Sequence, residues 1–330
     1  MLQLSLSLLL MLFSALATAS DITPAAVDAF LKNMKSETVS VSGPNLVNHY
    51  YRSAADFDTA VLFLPGMGEP ALKYYALAED FKDLPVTLYM WDHVGQGDST
   101  SLLPPADHQK IYVETFETYM IGLENFLTIL HRTHKTVYVV AHSMGSHLAL
   151  RIAMERPDLI QKLALSSPFI DLNYKNLPVK YIAWLLPYLS GSSYPPLYSF
   201  FKGDGKKSTM THSEERLALF KQTLAQHPEL ERDGATIGWL RAALASIAIL
   251  KRDDPTRAAI PVLMLQASDD VLVDTGAQTA LCKKLPHCEL KQIPDSYHEI
   301  LFEKDPARKT AVDDILEFLK APAAPKPAAA

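Results

Sequence analysis

The chain has 330 residues, 48 % of them hydrophobic, enough to bury one large α/β core or two modest ones without staples. Its formal charge is −6, and no basic block is longer than Lys206-Lys207 or Lys283-Lys284. This argues against a nucleic-acid partner and leaves small molecules or lipids.

Residues 1–19, MLQLSLSLLLMLFSALATA, are apolar with scattered serines and end on the small-x-small triplet Ala17-Thr18-Ala19. That layout is a secretory signal peptide, and it predicts export to a periplasmic or extracellular compartment. The leader lacks Lys and Arg, so an uncleaved membrane anchor stays the alternative, although spanning usually takes about 20 apolar residues. Residues 37–51 then alternate as two short strands about the turn Ser42-Gly43-Pro44.

Four units follow in which an apolar β-rich run precedes a helical one: 59–64 before 71–83, 86–91 before 113–131, 136–141 before 144–155, and 262–266 before 275–285. Further runs at 162–166 and 289–293 read as strands, and 305–319 as a last helix. The alternation predicts an α/β fold with a mostly parallel central sheet flanked by helices, made from residues 20–167 and 256–320.

Between them, 168–255 loses the alternation and reads as an inserted helical cap over the carboxyl edge of the sheet, where α/β folds place their ligands. Residues 169–201 hold nine aromatics, a threefold enrichment over the 9 % of the whole chain. Most belong to the cap's own packing; Phe169, Tyr181 and Trp184 are the candidates for a substrate-binding wall. Cap lysines Lys175, Lys180, Lys202, Lys206 and Lys207 are either a solvated face or a contact with phosphate or an anionic membrane. The tail 321–330, APAAPKPAAA, is expected to be disordered. The only cysteines, Cys282 and Cys288, close a short loop as a disulfide if the chain is exported, or are two free thiols. With His287 they supply too few ligands for structural zinc, and no metal or cofactor is expected.

The chemistry centres on residues 136–155, TVYVVAHSMGSHLALRIAME, a β-branched run breaking through a small-Ser-small turn into a helix. Ser143 sits at the tip of that turn, the layout of a nucleophile elbow, with Ala141 and Gly145 at the positions where large side chains do not fit. A serine hydroxyl needs a base within hydrogen-bond reach, and the base needs an orienting acid. Of eleven histidines, only His298 follows the last strand, in the expected chain order of nucleophile, acid, base. His142 and His147 read as structural. The acid lies among Asp269, Asp270 and Asp274, with Asp274 reading better as a helix cap. Two backbone N–H groups are needed for an oxyanion hole: Met144 beside the nucleophile, and Met67 in the loop Pro65-Gly66-Met67-Gly68.

Gly66-Met67-Gly68-Glu69, then Trp91-Asp92-His93-Val94-Gly95-Gln96-Gly97-Asp98-Ser99, then Ala141-His142-Ser143-Met144-Gly145 resemble the α/β-hydrolase branch of monoacylglycerol lipases and bacterial lysophospholipases, within the serine aminopeptidase-like family. His298-Glu299-Ile300-Leu301-Phe302-Glu303, Thr211-His212-Ser213 and Trp239-Leu240-Arg241 look closest to the lysophospholipases. The resemblance spans roughly residues 40 to 320 and, by its usual strand-to-acid spacing, implies Asp270 as the acid with Asp269 as runner-up. It departs at Pro65, where the family often has His, and at Ser146, where it often has Gly; neither touches the Met67 or Met144 N–H. The activity implied is a serine carboxylester hydrolase acting on a single-chain lipid, lysophospholipid before monoacylglycerol. The competing readings are a serine aminopeptidase, for which Glu214-Glu215 would bind an α-amino group, and a non-catalytic lipid-binding protein on a hydrolase scaffold.

Overall fold

In the computed structural model, residues 22–173, 190–195 and 208–322 are described. The leader 1–19, Tyr181, Trp184, the five cap lysines and 323–330 lie outside them.

Ten strands are described: β1 Met34–Val39, β2 Asn48–Ser53, β3 Thr59–Leu64, β4 Thr87–Trp91, β5 Lys110–Ile111, β6 Thr136–His142, β7 Lys162–Ser166, β8 Gly234–Ala235, β9 Val262–Ala267 and β10 Cys288–Ile293. Eight form one sheet in the order β1-β2-β4-β3-β6-β7-β9-β10, and β5 pairs with β8 apart from it. From β4 to β10 all neighbours are parallel, while β1–β2 and β2–β4 are antiparallel. The central strands β3, β4, β6, β7 and β9 read as near-continuous apolar runs because helices cover both faces.

The α-helices among the described residues are α1 Pro24–Asn33, α2 Ala76–Asp80, α3 Glu117–Thr133, α4 Ser143–Glu155, α5 Glu214–Gln226, α6 Ile237–Arg252, α7 Thr275–Cys282 and α8 Asp305–Lys320. One core, on the α3, α4 and α6 face, gathers Leu62, Leu64, Leu123, Leu148 and Trp239. The other, on the α1 and α8 face, gathers Phe30, Phe63, Leu265, Val312 and Ile315. Alternating side chains of each strand feed the two cores in turn.

Helix α1 is an addition to what the sequence pattern suggests. Thr23 caps it by accepting from the Ala26 N–H (3.3 Å), Pro24 opens it, and Phe30 packs edge-on against Tyr51 with ring centroids 4.9 Å apart. Only Val27 and Phe30 of its ten residues are buried, too sparse an apolar stripe to stand out in the sequence. In the segment after β7, α5 is capped by Ser213 and α6 by Thr236. Cys282 and Cys288 are joined in a disulfide between the end of α7 and the start of β10.

Candidate active site

Strand order reverses at β3, with β4 on one side and β6 on the other, so the loops after β3 and β6 face a shared crevice at the carboxyl edge. Strand β6 ends at His142 and α4 begins at Ser143 with no residue between, forcing Ser143 to a positive φ of 48°. A tight turn needs close neighbours. A Cβ on Gly145 would lie 2.5 Å from the Leu64 carbonyl oxygen and 2.6 Å from that of Pro65, so the helix can approach the β3 end only with glycine there. The rim is strained elsewhere too: Ser167 just after β7 has φ 43°, and Asp295 just after β10 has φ 48°.

The Ser143 hydroxyl lies 2.8 Å from His298 Nε2, and His298 Nδ1 lies 2.7 Å from Asp270 Oδ2. With the Nδ1 proton donated to the carboxylate, Nε2 is left to accept from the serine. The Asp270 side chain is fully buried, and its other oxygen accepts the N–H groups of Leu272 (2.9 Å) and Val273 (3.2 Å). Burial pushes this carboxyl up, but the His298 hydrogen bond and charge, with the two backbone donors, outweigh it and hold it below its ordinary value. Asp269 is exposed and accepts from Ser268 Oγ at 2.8 Å, while Asp274 caps α7 through the Ala277 N–H at 3.1 Å. The acid that reaches His298 is therefore Asp270.

The loop after β3 is held from both flanks. The Gly66 N–H donates to Glu69 Oε2 (2.7 Å), and the Gly68 N–H to Gln96 Oε1 (2.8 Å); Gln96 Nε2 in turn donates to the Gly66 carbonyl (3.0 Å). Between them, the Met67 N–H meets no acceptor among the described residues. The Met144 N–H falls in the first turn of α4, where no intrahelical carbonyl precedes it. Gly66 lies against Ser143, since a Cβ there would sit 3.2 Å from the Ser143 Cβ.

Gln96 stands in the 92–99 motif and is a site neighbour that nothing local in the sequence singles out. The loop is tightly wound: Gly95 and Gly97 have φ of 80° and 51°, and Asp92 accepts from the Ala71 N–H (2.7 Å), the Asp98 N–H (3.2 Å) and His49 (2.8 Å). His49, Asp92 and Asp98 come within metal-ligand reach of one another, but these donors already occupy the Asp92 oxygens. From the segment between α5 and α6, Arg232 donates to the carbonyls of Gly95 (2.9 Å) and Gly97 (3.0 Å).

The other buried histidines nearby serve the scaffold. His142 pairs with the Ser166 carbonyl (3.2 Å), His93 with that of Pro65 (3.2 Å), and His147 with the Phe169 carbonyl (2.9 Å) and Ser246 Oγ (2.7 Å). Burial pulls all three down to about 4, so they are neutral at pH 7. The Phe169 N–H donates to the Ser143 carbonyl (3.1 Å), and its ring is buried between His147 and Trp239. The His298 loop is pinned by Glu303, which accepts from the Tyr297 N–H (2.9 Å) and pairs with His212 (2.9 Å), whose ring stacks on Tyr297 at 3.7 Å.

This arrangement can transfer a serine proton to an imidazole held by a carboxylate, which is acyl-transfer chemistry. A family profile described as "Serine aminopeptidase, S33" matches residues 55–305. The chain is 28 % identical over 296 residues to a protein of Haemophilus influenzae named "Probable lysophospholipase L2", covering 86 % of this chain and 91 % of that one. It is 24 % identical over 270 residues to the "Monoglyceride lipase" of Rattus norvegicus, covering 79 % and 82 %. Among solved structures, that of a soluble variant of monoglyceride lipase from Saccharomyces cerevisiae superposes with a TM-score of 0.68 at 18 % identity, over 87 % of this chain and 95 % of that one. With this fold and a match over most of its length, the chain belongs to the serine aminopeptidase S33 family of α/β-hydrolases and is a serine hydrolase.

Proposed function

We propose that the chain hydrolyses the carboxylic ester of a single-chain lipid, a lysophospholipid or a monoacylglycerol, through an acyl-enzyme on Ser143. The observation that carries this is the unbroken relay of Ser143, His298 and Asp270 at 2.8 and 2.7 Å, set beside two backbone donors. The lipid substrate follows the names of the relatives, lysophospholipase L2 and monoglyceride lipase.

In the first half-reaction Ser143 Oγ attacks the ester carbonyl while His298 Nε2 takes its proton. Asp270 keeps the imidazole in the right tautomer and balances the charge it gains. The oxyanion is met by the Met67 and Met144 N–H groups. His298 then returns the proton to the leaving alcohol. In the second half-reaction water, deprotonated by His298, attacks the acyl-enzyme and frees the fatty acid. The acyl chain is assigned to the cap aromatics, where each methylene withdrawn from water contributes about 0.8 kcal/mol; of the three candidates only Phe169 lies within the described residues.

An aminopeptidase needs acidic groups to receive an α-amino group. Glu214 and Glu215 are exposed in the first turn of α5, where a carboxylate already has a role against the helix dipole. Export is part of the proposal, supported by the Cys282–Cys288 disulfide, a bond that persists in oxidising compartments. So is peripheral membrane contact through the basic cap segment.

The test is turnover of lysophosphatidylcholine, monoolein, short nitrophenyl esters and amino-acyl naphthylamides by wild type and Ser143→Ala. Lipid-ester hydrolysis that vanishes in the variant is expected. Wild-type rates in Ser143→Ala, or turnover of the naphthylamides alone, would overturn the reading.

A further inference from the structure

Lys73 is a buried lysine whose ammonium lies 2.7 Å from Glu69 Oε1 and 2.7 Å from Glu299 Oε1. The two carboxylates come from opposite walls of the site. Glu69 belongs to the loop after β3, and its second oxygen accepts the Gly66 N–H at 2.7 Å and the Tyr74 hydroxyl at 2.9 Å. Glu299 directly follows His298 in the chain, and its own N–H donates to the Met210 carbonyl at 2.8 Å. Phe302 closes over the ammonium with its ring centroid 4.6 Å away. All three charged side chains are less than a tenth exposed.

Stability is a poor reason for such a cluster. Moving three charges out of water costs several kcal/mol each after relaxation, and apolar replacements of buried ion clusters are often neutral or stabilising. Two carboxylates also share one ammonium. Burial opposes ionisation of Glu69, yet the Lys73 charge, His142 and the Gly66 N–H hold it at about 2, whereas burial, with Glu69 nearby, pushes Glu299 up despite Lys73. What the cluster does provide is geometry. It is a continuous path from the Gly66 amide, through Glu69 and Lys73, to Glu299, which adjoins His298 in the chain.

We propose that Lys73 is a positioning residue that fixes the separation between the oxyanion loop and the base loop, with Glu69 and Glu299 as its two anchor points. This rests on the reading of Ser143 as the nucleophile. In the transition state the Met67 N–H must reach the oxyanion while His298 Nε2 reaches the serine and leaving-group oxygens of the same tetrahedral centre. A drift of about 1 Å between their loops is enough to cost on the order of 100-fold in rate, with little effect on how the lipid chain is held.

Glu299→Leu cuts the base-loop end while leaving Lys73 and Glu69 as a neutral pair, so no charge is orphaned. We expect kcat on a short nitrophenyl ester and on monoolein to fall about 10- to 100-fold with KM nearly unchanged and the urea midpoint at or above wild type. Glu299→Gln, which still offers Lys73 an oxygen, is expected to recover most of the rate. The triple variant Lys73→Met/Glu69→Gln/Glu299→Leu, which also leaves no buried charge unpaired, loses little beyond Glu299→Leu, because all three act through one connection. Wild-type kcat in folded Glu299→Leu overturns the proposal. So does failure of both Leu variants to fold, which would make the cluster a stability element. A wild type lacking Ser143-dependent turnover overturns the function proposed above instead, and the two failures are told apart by that single control.

Discussion

Gly145→Ala adds one methyl group where the carbonyls of Leu64 and Pro65 close in on the helix. Its carbon would stand 2.5 Å from the Leu64 oxygen, 2.6 Å from the Pro65 oxygen and 2.9 Å from the Leu64 carbonyl carbon. Comfortable contact for such atoms is about 3.5 Å, so roughly 1 Å must be found by moving either α4 or the end of β3. Neither partner is a flexible side chain. Helix α4 carries Ser143 and Met144, and the β3 end leads directly into Met67, so either movement opens the gap between nucleophile and second amide donor. Overpacking of this kind costs about 1–3 kcal/mol, and a displacement near 1 Å costs on the order of 100-fold in rate. The assay is kcat on a nitrophenyl ester beside a urea denaturation curve. A Gly145→Ala protein with wild-type kcat and midpoint would refute the claim that backbone contact at this glycine sets the distance across the oxyanion hole.

Asp270→Asn keeps the side-chain shape but presents an amide that donates toward His298 Nδ1 and favours the wrong tautomer. The expected loss in kcat is on the order of 10³- to 10⁴-fold, while Asp269→Asn, altered at an exposed carboxylate, stays near wild type; equal losses in both would reverse the assignment of the acid. The buried neutral histidines predict an acid-sensitive fold. His147 is held at about 4 in the folded chain against an ordinary 6.5, so on acidification the unfolded chain takes the proton first, and stability falls as pH drops through that window. Between pH 6 and 4.5, His147→Gln is expected to reduce the slope of unfolding free energy against pH by about 1.4 kcal/mol per unit, measured in urea; an unchanged slope would show that this histidine is not kept neutral.

The parts of this architecture legible in the sequence are those written in local pattern. The apolar runs at 59–64, 86–91, 136–141, 162–166 and 262–266 became central strands, because a parallel strand buried on both faces tolerates little else. The elbow was legible for a similar reason: small residues at 141 and 145 report a steric limit that acts within five residues. The choice of acid was legible only through the resemblance, whose spacing implies Asp270, since Asp269 and Asp270 are adjacent and differ only in which way the chain turns after β9. The Lys73 cluster was hidden more deeply. A lysine and two glutamates in a sequence suggest a solvated surface, and what buries these is a contact between loops more than 220 residues apart in the chain. Gln96 is invisible for the same reason, as its side-chain hydrogen bonds cross to a loop 27 to 30 residues earlier.

Three of the four non-glycine residues with left-handed backbone among the described residues, Ser143, Ser167 and Asp295, stand at the carboxyl ends of β6, β7 and β10. Each is held about 1–3 kcal/mol above a relaxed conformation, and glycine at any of them would release that tension. A laboratory selection for heat tolerance alone would therefore be drawn to this rim, and at Ser143 its easiest gain would be an inert protein. Heat resistance has to be sought on the opposite edge of the sheet, where the turns do not hold the reacting groups.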